Sequence, residues 1–253
     1  GAGYDGNYAF TGYISNVRVV KGTAVYTAAF TPPTAPLTAI TNTSLLLSAT
    51  NGGIVDATAK NDLETVGNAQ ISTTQSKFGG SSMRFPGASG DAVTIPYSQG
   101  FNFGTGDFTV ECWANISYVQ YSAIITSTAV AISTSSWLLG YSNTANQMAF
   151  GINSGGAAII GADYTAYAGT WTHIAVTRYG TTLRMFFNGI QVASVTNSSN
   201  FTGESAYPVK MGARYVDSAS YPLNGYIDDL RITKGIARYT SNFTPPTTAF
   251  LTQ

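Results

Sequence analysis

Phe108-Thr109-Val110-Glu111-Cys112-Trp113-Ala114-Asn115-Ile116 alternates without a break. In an extended chain Phe108, Val110, Cys112, Ala114 and Ile116 fall on one face, and Thr109, Glu111, Trp113 and Asn115 on the other. The run predicts a half-buried antiparallel strand. The same period of two recurs at 44–48, 82–85, 92–95, 137–141, 147–152, 171–178, 183–188, 190–195 and 226–233. Between two of these runs stands Asn188-Gly189, the pair that supplies the two positive φ angles of a type I′ hairpin. Segments 51–53 and 197–206 read as loops, and 153–168 as mostly loop around a short strand at 157–160. Many short strands parted by Gly- and Asn-rich turns predict an all-β antiparallel sandwich.

The chain also repeats itself. Residues 12–34, GYISNVRVVKGTAVYTAAFTPPT, recur at 225–247 as GYIDDLRITKGIARYTSNFTPPT, with 14 of 23 positions identical and no gap. Upstream, Gly1-Ala2-Gly3-Tyr4 aligns with Gly212-Ala213-Arg214-Tyr215 once two extra residues are allowed before Gly225. The expected organisation is the C-terminal strands of a preceding repeat at 1–35, a linker at 36–43, one complete domain at 44–248, and the start of a further linker at 249–253. Gly1 then falls inside a domain, and the chain reads as a piece of a longer tandem array. Its prolines cannot donate to a ladder, so each Thr-Pro-Pro-Thr ends a sheet and borders a repeat. A strand in the orphan segment, with Tyr13, Val17 and Val19 on one face and Ile14 and Val20 on the other, would expose an unpaired edge. It is expected to pair with the complete domain or with a neighbouring chain.

Composition narrows the partners. Charged residues are 9% of the 253, against about 25% in an average domain, and 12 basic residues balance 12 acidic ones. No electrostatic attraction to nucleic acid or anionic membrane follows. Thr, Ser, Asn and Gly must keep the surface polar, which suits an oligomer or a neutral ligand. A single Cys, Cys112, excludes an internal disulfide, and with His173 as the only His there is no Cys/His zinc constellation. No run approaches the roughly 18 apolar residues of a membrane helix.

Trp171-Thr-His-Ile-Ala-Val-Thr-Arg, followed by 183–187 with Asn188-Gly189 and then Gly225-Tyr-Ile-Asp-Asp-Leu-Arg-Ile, resembles the closing motifs of laminin G-like domains. Asp107-Phe-Thr-Val-Glu-Cys-Trp resembles their central strand, and Lys77-Phe-Gly-Gly-Ser-Ser-Met-Arg-Phe an earlier one. The resemblance covers about 44–240 and implies the concanavalin A-like jelly roll, with its concave face or rim loops open to carbohydrate or protein. The Lys-Gly-x-Ala-x-Tyr-Thr-x-x-Phe-Thr-Pro-Pro-Thr ending looks like a version common in virion and tail-fibre proteins of marine bacteriophages. A virion or extracellular location is the expectation that follows.

Candidate sites are few. A retaining glucanase on this fold needs two carboxylates about 5 Å apart, usually in a Glu-x-Asp-x-x-Glu strand. Nothing matches: Glu111 stands alone on its strand, and Glu64 and Glu204 fall in expected loops. No catalytic residue is assigned. His173 shares a face with Trp171, Ala175 and Thr177 and reads as a packed strand residue. Acidic residues near the Asp228-Asp229 strand can hold a structural Ca²⁺ in related domains. Calcium takes six to eight oxygens and adjacent strand residues point apart, so Asp228 would need Asp56 or Asp91 and backbone carbonyls. The alternative is surface carboxylates paired with Arg231 or Lys234. Aromatics are 13% of the chain, and Trp113, Tyr118, Tyr121, Tyr164 and Tyr167 are the candidates for stacking on a sugar ring. The competing reading packs Trp113 under a loop and puts the tyrosines at subunit contacts. The expected role is non-enzymatic adhesion, to host-surface glycan or to other virion subunits and copies, or else a purely structural spacer.

Overall fold

The computed structural model describes residues 12–50, 53–56, 63–117, 121–129, 136–142, 146–152, 158–216 and 221–250, with side chains for all but 47–50, 53–56 and 152. The chain divides between residues 61 and 62 into two compact units. The smaller holds an antiparallel sheet of β1 (Val17–Val20), β2 (Thr43–Thr50) and β3 (Gly53–Asp56), with β2 in the centre. Arg18 opposes Leu46, and its Nη1 donates to the Thr38 carbonyl at 2.8 Å. The run at 44–48 therefore supplies the backbone partner that the edge of β1 requires, and lies in the smaller unit.

Among the described residues, fourteen strands make the larger unit. In chain order they are β4 (Glu64–Val66), β5 (Gln70–Ser72), β6 (Ser82–Pro86), β7 (Ala92–Ile95), β8 (Phe108–Ile116), β9 (Ala123–Thr126), β10 (Leu138–Tyr141), β11 (Gln147–Ile152), β12 (Ala158–Asp163), β13 (Thr172–Tyr179), β14 (Thr182–Phe187), β15 (Ile190–Thr196), β16 (Val209–Met211) and β17 (Asn224–Lys234). They pair antiparallel in two seven-stranded sheets, ordered β12-β11-β10-β9-β16-β7-β4 and β15-β14-β13-β8-β17-β6-β5. This is a jelly-roll sandwich. The β14–β15 hairpin turns on Asn188 (φ 47°) and Gly189 (φ 79°), with Phe187 opposite Ile190, as the dipeptide predicts.

The core lies between the sheets. Phe108, Val110, Cys112, Ala114 and Ile116 are fully buried and join one cluster with Ile174, Val176 and Met185 of their own sheet and Ile125, Leu139 and Phe150 of the other. Each such aliphatic or aromatic side chain contributes about 1.5–3 kcal/mol by leaving water. Burial also drives the Cys112 thiol far above its ordinary pKa, so it stays protonated and inert.

The outer face of β8 departs from the half-buried expectation. Thr109 and Glu111 are fully buried and Trp113 nearly so. The segment after β17 folds back across this face: Thr109 Oγ1 donates to the Ile236 carbonyl, Thr177 Oγ1 to the Tyr239 carbonyl, and the Phe243 N–H to the Gly189 carbonyl. Alternation reports which residues share a face, and cannot report that a later segment covers the polar one.

Candidate functional site

Glu111 is the most connected buried charge. Its Oε1 accepts from Arg231 Nε at 2.9 Å and faces Arg238 Nε at 3.7 Å, while Oε2 accepts from the Tyr239 hydroxyl at 2.8 Å and lies 3.2 Å from His173 Nε2. Burial opposes ionisation here, but the His173 hydrogen bond, the Arg231 charge and the Tyr239 hydroxyl outweigh it, and the carboxyl sits below its ordinary value. The same arrangement raises the Tyr239 hydroxyl, first through burial and then through the neighbouring carboxylate. His173 is thus a packed residue tied to Glu111, with Trp113 and Phe243 against its ring at 5.3 and 5.6 Å. The network joins β8, β13, β17 and the tail, and among the described residues brings no second carboxylate to Glu111. Glu64 lies exposed on β4, in the opposite sheet.

The acidic candidates anchor loops. Asp228 Oδ2 accepts from the Lys77 and Phe78 N–H groups at 2.8 and 3.1 Å. Asp91, 2% exposed, accepts from the Asn68 N–H at 2.7 Å through Oδ1 and from the Ala88 N–H at 3.1 Å through Oδ2. Asp229 accepts from the Phe250 N–H. Arg231 pairs with Glu111 and Lys234 donates to the Gln99 carbonyl, so neither is the partner expected for these aspartates. The groups gathered around Asp91 and Asp228 are N–H donors, which a cation cannot use. No three His, Cys, Asp or Glu side chains converge among the described residues. The Asp56 side chain lies outside the described residues.

Of the aromatic candidates, Trp113 and Tyr164 are part of the interior and Tyr167 is half-buried against it. Trp113 is 5% exposed, with the Lys77 ammonium 3.9 Å from a ring centroid and Phe78 edge-on at 5.9 Å. Tyr164 is fully buried between Tyr141 and Phe187, and Tyr167 packs on Phe187 at 5.0 Å. Neither Trp113 nor Tyr164 offers a free face to a sugar. Tyr118 lies outside the described residues.

Tyr121 is different. It joins two tyrosines that the sequence reading did not single out, Tyr215 and Tyr221, with centroid separations of 5.2 Å for Tyr121–Tyr221 and 6.0 Å for Tyr215–Tyr221. The Arg214 guanidinium carbon lies 5.0 Å from the Tyr121 centroid and 5.5 Å from that of Tyr215. The described residues that meet here are Tyr121 before β9, Tyr141 at the end of β10, and Arg214, Tyr215 and Tyr221 between β16 and β17. An Ala213–Pro222 bridge and the Leu223 N–H to Gly212 carbonyl bond join the two ends of the β16–β17 connection, and the Tyr141 N–H to Ser122 carbonyl bond ties the end of β10 to the residue after Tyr121. Tyr121 (φ 66°) and Tyr221 (φ 59°) both hold a left-handed backbone that bulky residues rarely adopt. Such conformations cost about 1–3 kcal/mol each and concentrate where a ligand is gripped. Tyr221 is 44% exposed. The signal in the sequence was Gly212-Ala213-Arg214-Tyr215, which aligns with the first copy and differs from it at the arginine.

Comparison with known proteins agrees with the architecture. Residues 87–237 match a laminin G family model described as the concanavalin A-like lectin/glucanases superfamily, and the chain belongs to that family. No curated protein sequence matches it. Among solved structures, the binding domain of botulinum neurotoxin serotype G is 14% identical with a TM-score of 0.52, the match covering 79% of this chain and 48% of that one. The ligand-binding domain of botulinum neurotoxin serotype D in complex with N-acetylneuraminic acid gives 15% identity and a TM-score of 0.52 over the same shares. The receptor-binding domain of the botulinum neurotoxin C/D mosaic serotype gives 17% and 0.50, covering 76% of this chain and 48% of that one. The chain thus spans about half the length of these structures, and at such identities the likeness is one of fold.

Proposed function

We propose that this protein is a non-enzymatic binding module of a virion or extracellular fibre, and that its ligand is a cell-surface glycan taken by the Tyr121–Tyr215–Tyr221 rim. The carrying observation is that rim: a half-buried aromatic cluster built from separate loops, with Tyr221 exposed and two of its rings held on strained backbone. Sugar rings present flat C–H faces that stack on such rings, and a surface poor in charge suits a largely neutral ligand. That several structures sharing the fold are named as binding domains, one of them in complex with N-acetylneuraminic acid, supports the reading. The fibre setting is supported by the Lys-Gly-x-Ala-x-Tyr-Thr ending and by its recurrence at 12–34.

A glycan microarray probed with the whole chain tests it. Wild type should bind a subset of glycans, and Tyr221→Ala should lose about tenfold in affinity, the equivalent of roughly 1.4 kcal/mol of stacking. No binding to any glycan would leave the second reading, a spacer in an assembly of copies, which the repeated closing segment favours.

A further inference from the structure

Two arginines of the larger unit are buried, and they differ in how their donors are used. Arg178 engages Nε, Nη1 and Nη2 with the carbonyls of Gly106, Ser199 and Gly104 at 2.8, 2.7 and 2.6 Å and lies over the Phe108 and Phe201 rings. It is satisfied by its own loops. Arg214 is 2% exposed and makes one good hydrogen bond, from Nη1 to the Tyr141 carbonyl at 2.9 Å, with a second contact to the Tyr121 carbonyl at 3.5 Å. Its Nε is buried without an acceptor, and no carboxylate is paired with it among the described residues. Holding a cation out of water in this way costs several kcal/mol unless an anion meets it.

In the internal repeat the aligned sequence carries no arginine at this position. The first copy has Gly3 where Arg214 stands, yet keeps Tyr4 at the position of Tyr215; reading back from Gly12 and Gly225 also sets Tyr8 at Tyr221. Rings are retained and the cation is added. From this we propose that the rim binds a sugar bearing a carboxylate, with the Arg214 guanidinium pairing the carboxylate and the tyrosine rings stacking on the sugar. Arginine suits the task because its planar donors match a carboxylate in both spacing and charge. Tyr221 is the exposed ring of the three and lies against both of the others. The inference rests on the glycan-binding reading and specifies its ligand class.

Titration of the whole chain with two acidic probes, an N-acetylneuraminic acid-terminated trisaccharide and an oligogalacturonide, separates the two. Each is compared with its methyl ester, which removes the charge on the ligand side and requires no variant to fold. At least one acid should bind tenfold or more tighter than its ester, and which acid does so distinguishes a sialic from a uronic source. Arg214→Gln should bring that acid to the level of the ester, while Tyr221→Ala weakens both. Equal affinity for acid and ester, with binding present, overturns the carboxylate inference and leaves glycan recognition standing. An acid preference that survives in folded Arg214→Gln overturns the assignment to Arg214. Absence of binding by every probe and by a neutral glycan panel defeats the glycan reading and this inference with it.

Discussion

Residues 12–34 and 225–247 are two copies of one segment in two settings. Their backbones agree where agreement is hardest: Gly12 and Gly225 at φ 154° and 155°, Asn16 and Asp229 at 58° and 49°, Gly22 and Gly235 at 75° and 85°. Tyr26 stacks on Phe30 with centroids 3.6 Å apart, and Tyr239 on Phe243 at the same 3.6 Å. Their surroundings differ. Tyr239 and Phe243 pack on His173 and Phe186 over the Glu111 network, whereas Tyr26 and Phe30 are 46% and 51% exposed. Local shape therefore resides in the segment, through Gly, Asn and Asp at left-handed positions and an aromatic pair four residues apart. Stability comes from the sheet on which it lies.

The comparison breaks first at Glu111. Glu111→Ala leaves His173, Arg231 and Tyr239 without their acceptor, and should cost about 3–5 kcal/mol by urea unfolding, whereas Arg18→Ala in the other copy should change little. A Glu111→Ala cost below 1 kcal/mol would show that the network does not hold the tail. Because the Glu111 pKa is lowered on folding, its contribution is complete above the ordinary glutamate value of about 4.3 and is lost as pH falls through the folded value. Acid melts of wild type and Glu111→Gln should therefore converge below that point. Tyr239→Phe removes one hydrogen bond to a charged group and should cost about 1.5–3 kcal/mol, against near silence for Tyr26→Phe. The smallest effect sharpens the likeness instead: Gly22 and Gly235 have open space around an added Cβ, so Gly→Ala at either should cost only the left-handed strain of about 1 kcal/mol. Gly22→Ala would be read from its local sheet by hydrogen exchange, and unequal costs would mean that the surroundings set the turn.

Period-two patterning and one Asn-Gly turn carried the sandwich, because a strand between core and solvent must alternate. The same logic left the outer face of β8 half-buried, since the cover over Thr109 and Glu111 arrives from residues more than a hundred positions later, while Trp113 follows the competing reading and packs under Lys77 and Phe78. It also missed β4, β5 and β16, three-residue strands too short to show a period. At the candidate site Tyr121 was legible as an aromatic beside the central strand. Tyr215, Tyr221 and Arg214 were not, because loops carry no periodicity and their meeting depends on where separate connections end.

β17 is the last strand among the described residues and sits between β8 and β6, in the interior of its sheet. During synthesis both neighbours must wait with open edges until residues 224–234 emerge, a long-range closure that folds slowly and invites the wrong partner. In a chain that carries the closing segment twice, the wrong partner is close at hand and has the right shape. Asp228 distinguishes them: the first copy has Ser15 there, whose shorter neutral side chain cannot replace the carboxylate that holds the Lys77 and Phe78 amides. The closing strand thus carries one anchor to the waiting sheet that its copy lacks.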